Sequence, residues 1–361
     1  MKAALCENTY MAEMKAAILY GKEDVRIERL PAPRAGTGEI VVRVHAALTC
    51  GTDLKVYRRG YHAKMLQPPI PFGHEMSGIV SEVGTDVTKF QLADRVVAIN
   101  SAPCGECYFC KREQENLCDD LLFNNGAYAE YIRIPKRIVE KNTLHVPPHI
   151  ALEHAAMTEP LACVVHGMDE TGVRAGDQMV VIGAGPIGLM FIHLAALMSI
   201  DVIAVVKRDE QIELARSFGA KHIVQTASGV DIVAAVRALT PESRGADVVV
   251  EAVALPETWH WAVDMVRKGG VVNFFGGCAS GTKVEFDTNR LHYNDITLRA
   301  SFHHRPRECR RAFEWIASGR FDAARFLTGS APLDQLVPVL NRLLNRTNDI
   351  KTAILPGGGV Q

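Results

Sequence analysis

Apolar positions along the chain fall into two rhythms. Between Met14 and about Val165 they come in short, Val/Ile-rich runs broken by Gly and Pro. Residues 39–45 alternate apolar with polar, and residues 77–83 and 94–99 are similar runs. Strands at that spacing, separated by turn residues, predict a β-rich domain. From Gln178 the rhythm changes. Residues 179–182 read as a buried strand, 187–198 as a helix, 201–206 as the next strand and 211–219 as a helix closed by its glycine. Further strands are expected at 246–250 and 270–275, and helix returns at 309–318. Alternating strand and helix predicts an α/β region with a parallel sheet covered on both faces.

Length and composition narrow the reading. A chain of 361 residues exceeds one ordinary core, so two domains are expected. Forty basic residues against 41 acidic ones leave no block of like charge, which argues against nucleic acid or an anionic membrane surface as partner. Apolar runs such as 180–182 and 194–198 fall far short of the roughly 20 residues that span a bilayer. Met1-Lys2-Ala3-Ala4 is echoed by Met14-Lys15-Ala16-Ala17, and residues 1–13 read as an extension or the product of an upstream start, with no secretory pattern. Nine cysteines, an odd number, with no export signal point to a reducing compartment, the cytoplasm by default.

Gly183-Ala184-Gly185-Pro186-Ile187-Gly188 is a GxGxxG that follows an apolar strand and opens a helix. The first glycine suits a tight turn, the second lets backbone approach a pyrophosphate, and the third lets helix and strand pack closely. The helix start then offers free N–H groups to phosphate. An NAD site places a carboxylate at the end of the next strand, against the ribose 2′-hydroxyl. Here that strand ends at Val206 and is followed by Lys207 and Arg208, cations suited to a 2′-phosphate. NADP is therefore expected over NAD, with Asp209 capping the following helix.

Two groups of residues suggest zinc. Cys104-x₂-Cys107-x₂-Cys110-x₇-Cys118 can surround one ion with four thiolates at about 2.3 Å each, a closed and hence structural site. Disulfides are the weaker explanation in a reducing context. Cys50, His74, Glu75 and Glu159 are dispersed, and each alone has a bland explanation. Together they supply sulfur, nitrogen and oxygen ligands that can leave a zinc position open.

The run Gly73-His74-Glu75-x₂-Gly78-x₅-Gly84-x₂-Val87, with the cysteine lobe and the GxGxxG in order, resembles the zinc-containing medium-chain dehydrogenases from Met14 to the end. Glu159 stands where classical alcohol dehydrogenases have a third-ligand cysteine, which makes the chain most similar to the sorbitol dehydrogenase-like polyol branch. The resemblance implies a GroES-like catalytic domain (1–165 and 302–361, with a structural-zinc lobe near 100–120) and a Rossmann domain (166–301). It also implies homo-dimers or homo-tetramers. Cys50 and His74 are then catalytic zinc ligands, joined by Glu75, Glu159 or both. Thr52 would relay the alcohol proton, and Asp53 would support the zinc site. Tyr57 and Phe302-His303-His304 should border the substrate cleft, although the branch often has arginine where His303 falls. Cys6, Cys163, Cys278 and Cys309 are read as packing.

These parts describe an oxidoreductase with two zincs per chain. Zinc would acidify a secondary alcohol or polyol, and hydride would pass to a nicotinamide held about 3–3.5 Å away, with domain closure excluding water. Reduction of the matching ketone is the reverse. A threonine- or aldehyde-adduct-type dehydrogenase of the same family is the alternative substrate reading. A non-catalytic zinc-stabilised binding protein would need neither the dispersed ligands nor the glycine motif, and the zinc-free quinone reductases lack both zinc motifs.

Overall fold

The computed structural model of the protein describes residues 13–62, 65–345 and 349–357. Residues 1–12, with Cys6 and nearly all of the expected extension, lie outside that set. Glu13, expected in the extension, instead opens the first strand. Two compact units result: one of Met1–Cys104, Leu121–Met157 and Leu327–Gln361, the other of Gly105–Asp120 and Thr158–Phe326. Among the described residues no helix is long and apolar enough to cross a membrane.

The first unit contains β1 (Glu13–Gly21), β2 (Asp24–Pro31), β3 (Ile40–Leu48), α1 (Gly51–Arg59), β4 (Ile70–Pro71), β5 (Met76–Val83) and β6 (Arg95–Ala98). It continues with β7 (Ser101–Ala102), β8 (Leu122–Phe123), β9 (Tyr131–Ile134), α2 (Lys136–Asn142), β10 (Thr143–His145) and α3 (Leu152–Ala155). β3 is its spine. Arg43 and His45 of β3 face solvent while Val42, Val44 and Ala46 are buried, the alternation legible in the sequence.

The second unit runs through α4 (Thr158–Thr171), β11 (Gln178–Ile182), α5 (Pro186–Leu197), β12 (Asp201–Val206), α6 (Glu210–Ser217), β13 (His222–Gln225) and α7 (Ile232–Ala238). β14 (Ala246–Glu251), α8 (Pro256–Met265), β15 (Val266–Phe274), α9 (Thr288–Tyr293), β16 (Thr297–Ala300) and α10 (Pro306–Ala317) complete it. Its six strands are parallel in the order β13-β12-β11-β14-β15-β16. That is the doubly wound order of a Rossmann sheet, with ligands expected beyond the carboxyl ends where the winding reverses, at β11 and β14. After its first residue β12 is buried throughout, as a strand covered on both faces must be.

The chain then returns to the first unit with β17 (Leu327–Pro332), α11 (Leu336–Leu344) and β18 (Lys351–Leu355). β18 pairs antiparallel with β3 and parallel with β17, completing a seven-stranded mixed sheet.

The unit boundaries fall at 157/158 and 326/327, where the sequence reading put 165/166 and 301/302. Local packing accounts for the difference. α4 runs unbroken through residue 165, and α10 packs along it. Residues 105–120, expected in the β-rich domain, join the second unit, where Asn116 donates to the Phe302 carbonyl and Arg305 to the Glu113 carbonyl.

Candidate metal centres and dinucleotide turn

Cys50 caps α1. Its extended backbone (φ −122°, ψ 147°) ends the preceding segment, and its sulfur accepts from the Thr52 N–H at 3.4 Å. His74 and Glu75 immediately precede β5. Gly73 has φ +88°, and a Cβ there would meet the Tyr128 ring at 2.5 Å, so only glycine admits this turn. One ligand atom each from Cys50, His74 and Glu75 lies within 4.8 Å of the others. Tetrahedral zinc with bonds of about 2.0–2.3 Å has ligand–ligand edges of roughly 3.3–3.8 Å, so rotamer-scale shifts close this set around one ion.

The imidazole is braced. Asp53 Oδ1 lies 3.0 Å from His74 Nδ1, and Asp53 Oδ2 accepts from the Tyr128 hydroxyl at 2.6 Å. That hydroxyl also lies 3.1 Å from the Leu48 carbonyl oxygen. A carboxylate on one ring nitrogen fixes the tautomer and presents the other nitrogen to a cation. Burial opposes charge on His74, but Asp53 and the Cys50 sulfur outweigh it and raise its pKa well above the imidazole range. Burial, reinforced by Asp53, likewise raises Tyr128 well above the usual phenol. Glu75 is fully buried, and its Oε2 receives Lys351 Nζ at 2.6 Å; the same ammonium donates to the Thr49 carbonyl at 2.8 Å. Thr52 stands half-buried in the first turn of α1, beside Cys50. Tyr57, expected at a cleft, is 3% exposed within the first unit's hydrophobic core.

Glu159 sits in the first turn of α4, where it gathers with Cys163, His303 and His304 of the same unit, again within 4.8 Å. Burial works against charge on His304, yet the neighbouring Cys309 and Glu159 raise its pKa to about 10. Phe302 is partly exposed. Cys163 and Cys309, read as packing from sequence, therefore have polar partners. Cys104, Cys107, Cys110 and Cys118 converge as their spacing required, with the Cys107 and Cys118 sulfurs 3.8 Å apart, a tetrahedral edge.

The glycine motif follows β11 directly. Gly183 has φ +101°, and a Cβ on Gly188 would stand 1.8 Å from the Gly183 carbonyl oxygen. Around Gly185 a Cβ would meet nothing within 4 Å. Pro186 and Ile187 open α5. At the end of β12, after Val206, the backbone N–H groups of Lys207 and Arg208 both donate to Gln211 Oε1 at 3.1 Å, while Gln211 Nε2 donates to the Ala184 carbonyl at 3.2 Å. Gln211 thus ties the two turns together, a role nothing in the sequence pattern signalled. Asp209 occupies the N-cap position of α6 without a capping hydrogen bond; its carboxylate accepts from the Gln225 side chain instead. Arg208 pairs with Glu210 at 2.7 Å.

A Rossmann sheet with a phosphate turn and a β-rich unit with convergent metal ligands define an oxidoreductase of the alcohol-dehydrogenase type. Residues 36–147 match the alcohol dehydrogenase GroES-like domain and residues 186–318 the zinc-binding dehydrogenase domain. Sorbitol dehydrogenase of Bacillus subtilis is 28% identical over 357 residues, covering 97% of this chain and 99% of that one. L-threonine 3-dehydrogenase of Caldanaerobacter subterraneus is 32% identical, over 78% of this chain and 80% of the relative. A zinc-binding dehydrogenase of Sinorhizobium meliloti 1021, solved bound to NADP, superposes with a TM-score of 0.87 at 29% identity, covering 96% of this chain and 100% of its own. The chain belongs to the zinc-containing medium-chain dehydrogenases, in their sorbitol dehydrogenase-like branch. It is a zinc-dependent, NAD(P)-linked oxidoreductase of alcohols or polyols and the matching ketones.

Proposed function

We propose that the chain oxidises a secondary alcohol or polyol, and reduces the matching ketone, with NADP as the preferred cofactor and two zinc ions at the sets described. The observation that carries this reading is the convergence of Cys50, His74 and Glu75 on an imidazole braced by Asp53. In this reading those three residues hold the catalytic ion, and the four-cysteine lobe holds a structural one. When bound, zinc acidifies the substrate hydroxyl and NADP takes up the hydride. Cys50 and His74 orient the substrate oxygen, and Thr52 passes its proton on. Buried Asp53 and Tyr128 keep the imidazole from rotating.

NADP preference is supported by the turn after β12. Lys207 and Arg208 stand where a ribose-binding carboxylate would otherwise be; Asp209 is engaged by Gln225, and Glu210 pairs with Arg208. A cytoplasmic homo-dimer or homo-tetramer is the expected form, with its domain limits those of the two compact units. The threonine dehydrogenase relative favours a second substrate reading, a β-hydroxy amino acid.

The test is a panel of secondary alcohols, polyols, L-threonine and ketones, followed at the nicotinamide absorbance with each cofactor. Expected are turnover of polyols and at least about tenfold higher kcat/KM with NADP. A preference for NAD would remove the assignment of Lys207 and Arg208. Turnover of threonine alone would replace the polyol reading. Cys50→Ala should abolish turnover with the fold kept, whereas Cys107→Ala should chiefly lower the thermal midpoint. Equal activity in both variants would remove the two-role assignment.

A further inference from the structure

The amino ends of β14, β15 and β16 meet at a cavity of about 710 Å³ within the second unit. A doubly wound sheet binds its dinucleotide at the opposite, carboxyl ends of its strands. β14 has six residues at about 3.3 Å each, so its two ends lie roughly 20 Å apart. The dehydrogenase chemistry proposed above leaves the amino end unused.

Its lining is cationic. Arg237 comes from the end of α7, Arg244 from the turn before β14, Arg267 and Lys268 from the start of β15, and Arg290 from α9. Carboxylates answer only part of this charge. Arg244 pairs with Glu242 at 3.0 Å, Arg267 with Asp247 at 2.6 Å and Arg290 with Asp264 at 3.0 Å. Among the described residues, no carboxylate pairs with Arg237 or Lys268.

Arg237 is the informative member. Its guanidinium donates to main-chain oxygens: the Arg244 carbonyl at 2.9 Å, the Asp264 carbonyl at 3.1 Å and the Val266 carbonyl at 3.5 Å. Arg290 also donates to the Val263 and Asp264 carbonyls, at 3.2 and 3.0 Å. Both arginines thus cap the C-terminal end of α8, whose dipole amounts to about half a charge. Capping accounts for where two guanidiniums sit, and half a charge still leaves the cavity positive. Three hydrogen bonds do not exhaust a guanidinium's N–H groups, and one pinned to backbone loses little freedom when an anion meets the rest. Arg237, Arg267 and Arg290 are half-buried, while Arg244 and Lys268 are exposed. Planar guanidinium forks suit the oxygens of phosphate, and the volume lies in the range of small-molecule sites, roughly 300–1,000 Å³.

We propose that this cavity binds a phosphate group, free or as the monoester of a small metabolite. Arg237 is its fixed anchor, and Lys268 supplies the second charge that no carboxylate offsets. The site acts independently of the dinucleotide and of whatever alcohol is oxidised.

Equilibrium dialysis of the full-length protein against radiolabelled inorganic phosphate tests this, with NADPH saturating so that the glycine turn is filled. Sodium chloride holds the ionic strength constant. Expected is about one phosphate per chain, with Kd raised about tenfold or more in Arg244→Ala/Lys268→Ala and in Arg237→Met. The first variant alters exposed side chains only, so it keeps the test decisive if Arg237→Met does not fold. Its alcohol turnover should be unchanged, which separates this site from the dehydrogenase reading. Methyl phosphate, which carries no alcohol to oxidise, should displace the label; tighter binding of the ester identifies an organic source, and tighter binding of inorganic phosphate a free one. Absence of bound phosphate once NADPH fills the glycine turn, or binding unchanged in both variants, would overturn the site and leave the arginines as caps of α8. Tighter binding of citrate than of either phosphate would overturn the assignment to phosphate.

Discussion

At the scale of single residues, the proposed catalytic set depends on partners far away in sequence. Glu75 is fully buried beside Lys351, itself 2% exposed and 276 positions further along the chain. Removing one partner of such a pair strands the other charge, which costs roughly 3–5 kcal/mol. Lys351→Met should therefore lower stability by about that amount in urea unfolding, and adding Glu75→Gln should recover a large part of it. Strictly additive losses would show that the two groups are not coupled. Cys50, His74 and Glu75, which the fold brings together, could be singled out from sequence because few residue types are able to bind zinc and their local motifs are distinctive. Lys351 and Tyr128 were not, because a lysine and a tyrosine are ordinary in any strand or loop. Only the folded chain brings Lys351 to Glu75 and the Tyr128 hydroxyl to Asp53.

At the scale of elements, the β11–α5 turn separates structural glycine from binding glycine. Gly188→Ala drives a methyl into the Gly183 carbonyl, so α5 must lift from the turn. A loss of about 1–3 kcal/mol is expected, with weaker dinucleotide binding as a consequence. Gly185 has φ −81° and open space around its Cβ direction, so Gly185→Ala should leave the thermal midpoint nearly unchanged. Its dinucleotide Kd should still rise, because the methyl occupies the path of the pyrophosphate. Thermal melts and cofactor titrations of both variants check this; equal melting losses would erase the distinction. β12 spans residues 201–206 as read from its apolar run, since a strand buried on both faces leaves a continuous signature. β13 and β16 were missed because their short runs carry less of it. The capping expected of Asp209 is absent: the Gln211 and Ile212 N–H groups bond to the Arg208 and Asp209 carbonyls, and the Asp209 carboxylate accepts from Gln225 instead.

For the whole molecule, acid stability should carry a recognisable carboxylate. Glu308 is fully buried, and burial alone would raise its pKa. Hydrogen bonds from Arg305 and Arg307 overcome that and leave it below the ordinary range. A lowered folded-state pKa contributes stability above the unfolded value of about 4.3, and that contribution is lost as pH falls through the folded value. Glu308→Gln should cost roughly 3 kcal/mol at neutral pH and progressively less in acid below about pH 4. A deficit constant from neutrality to acid, measured by denaturant unfolding across pH, would contradict this assignment. The same Arg305 donates to the Glu113 carbonyl, which helps explain why the cysteine segment packs with the second unit.

Periodicity and spacing determined the two kinds of architecture, the glycine-rich turn and which side chains are able to bind metal. Each is encoded locally: a run of β-branched residues, three glycines, four cysteines within one segment. Tertiary structure alone decided that Cys50, His74 and Glu75 converge, that Glu159 keeps company with two histidines and a cysteine, and where one unit yields to the other. Those outcomes depend on contacts between residues far apart in the chain, and no local pattern records the distance between them.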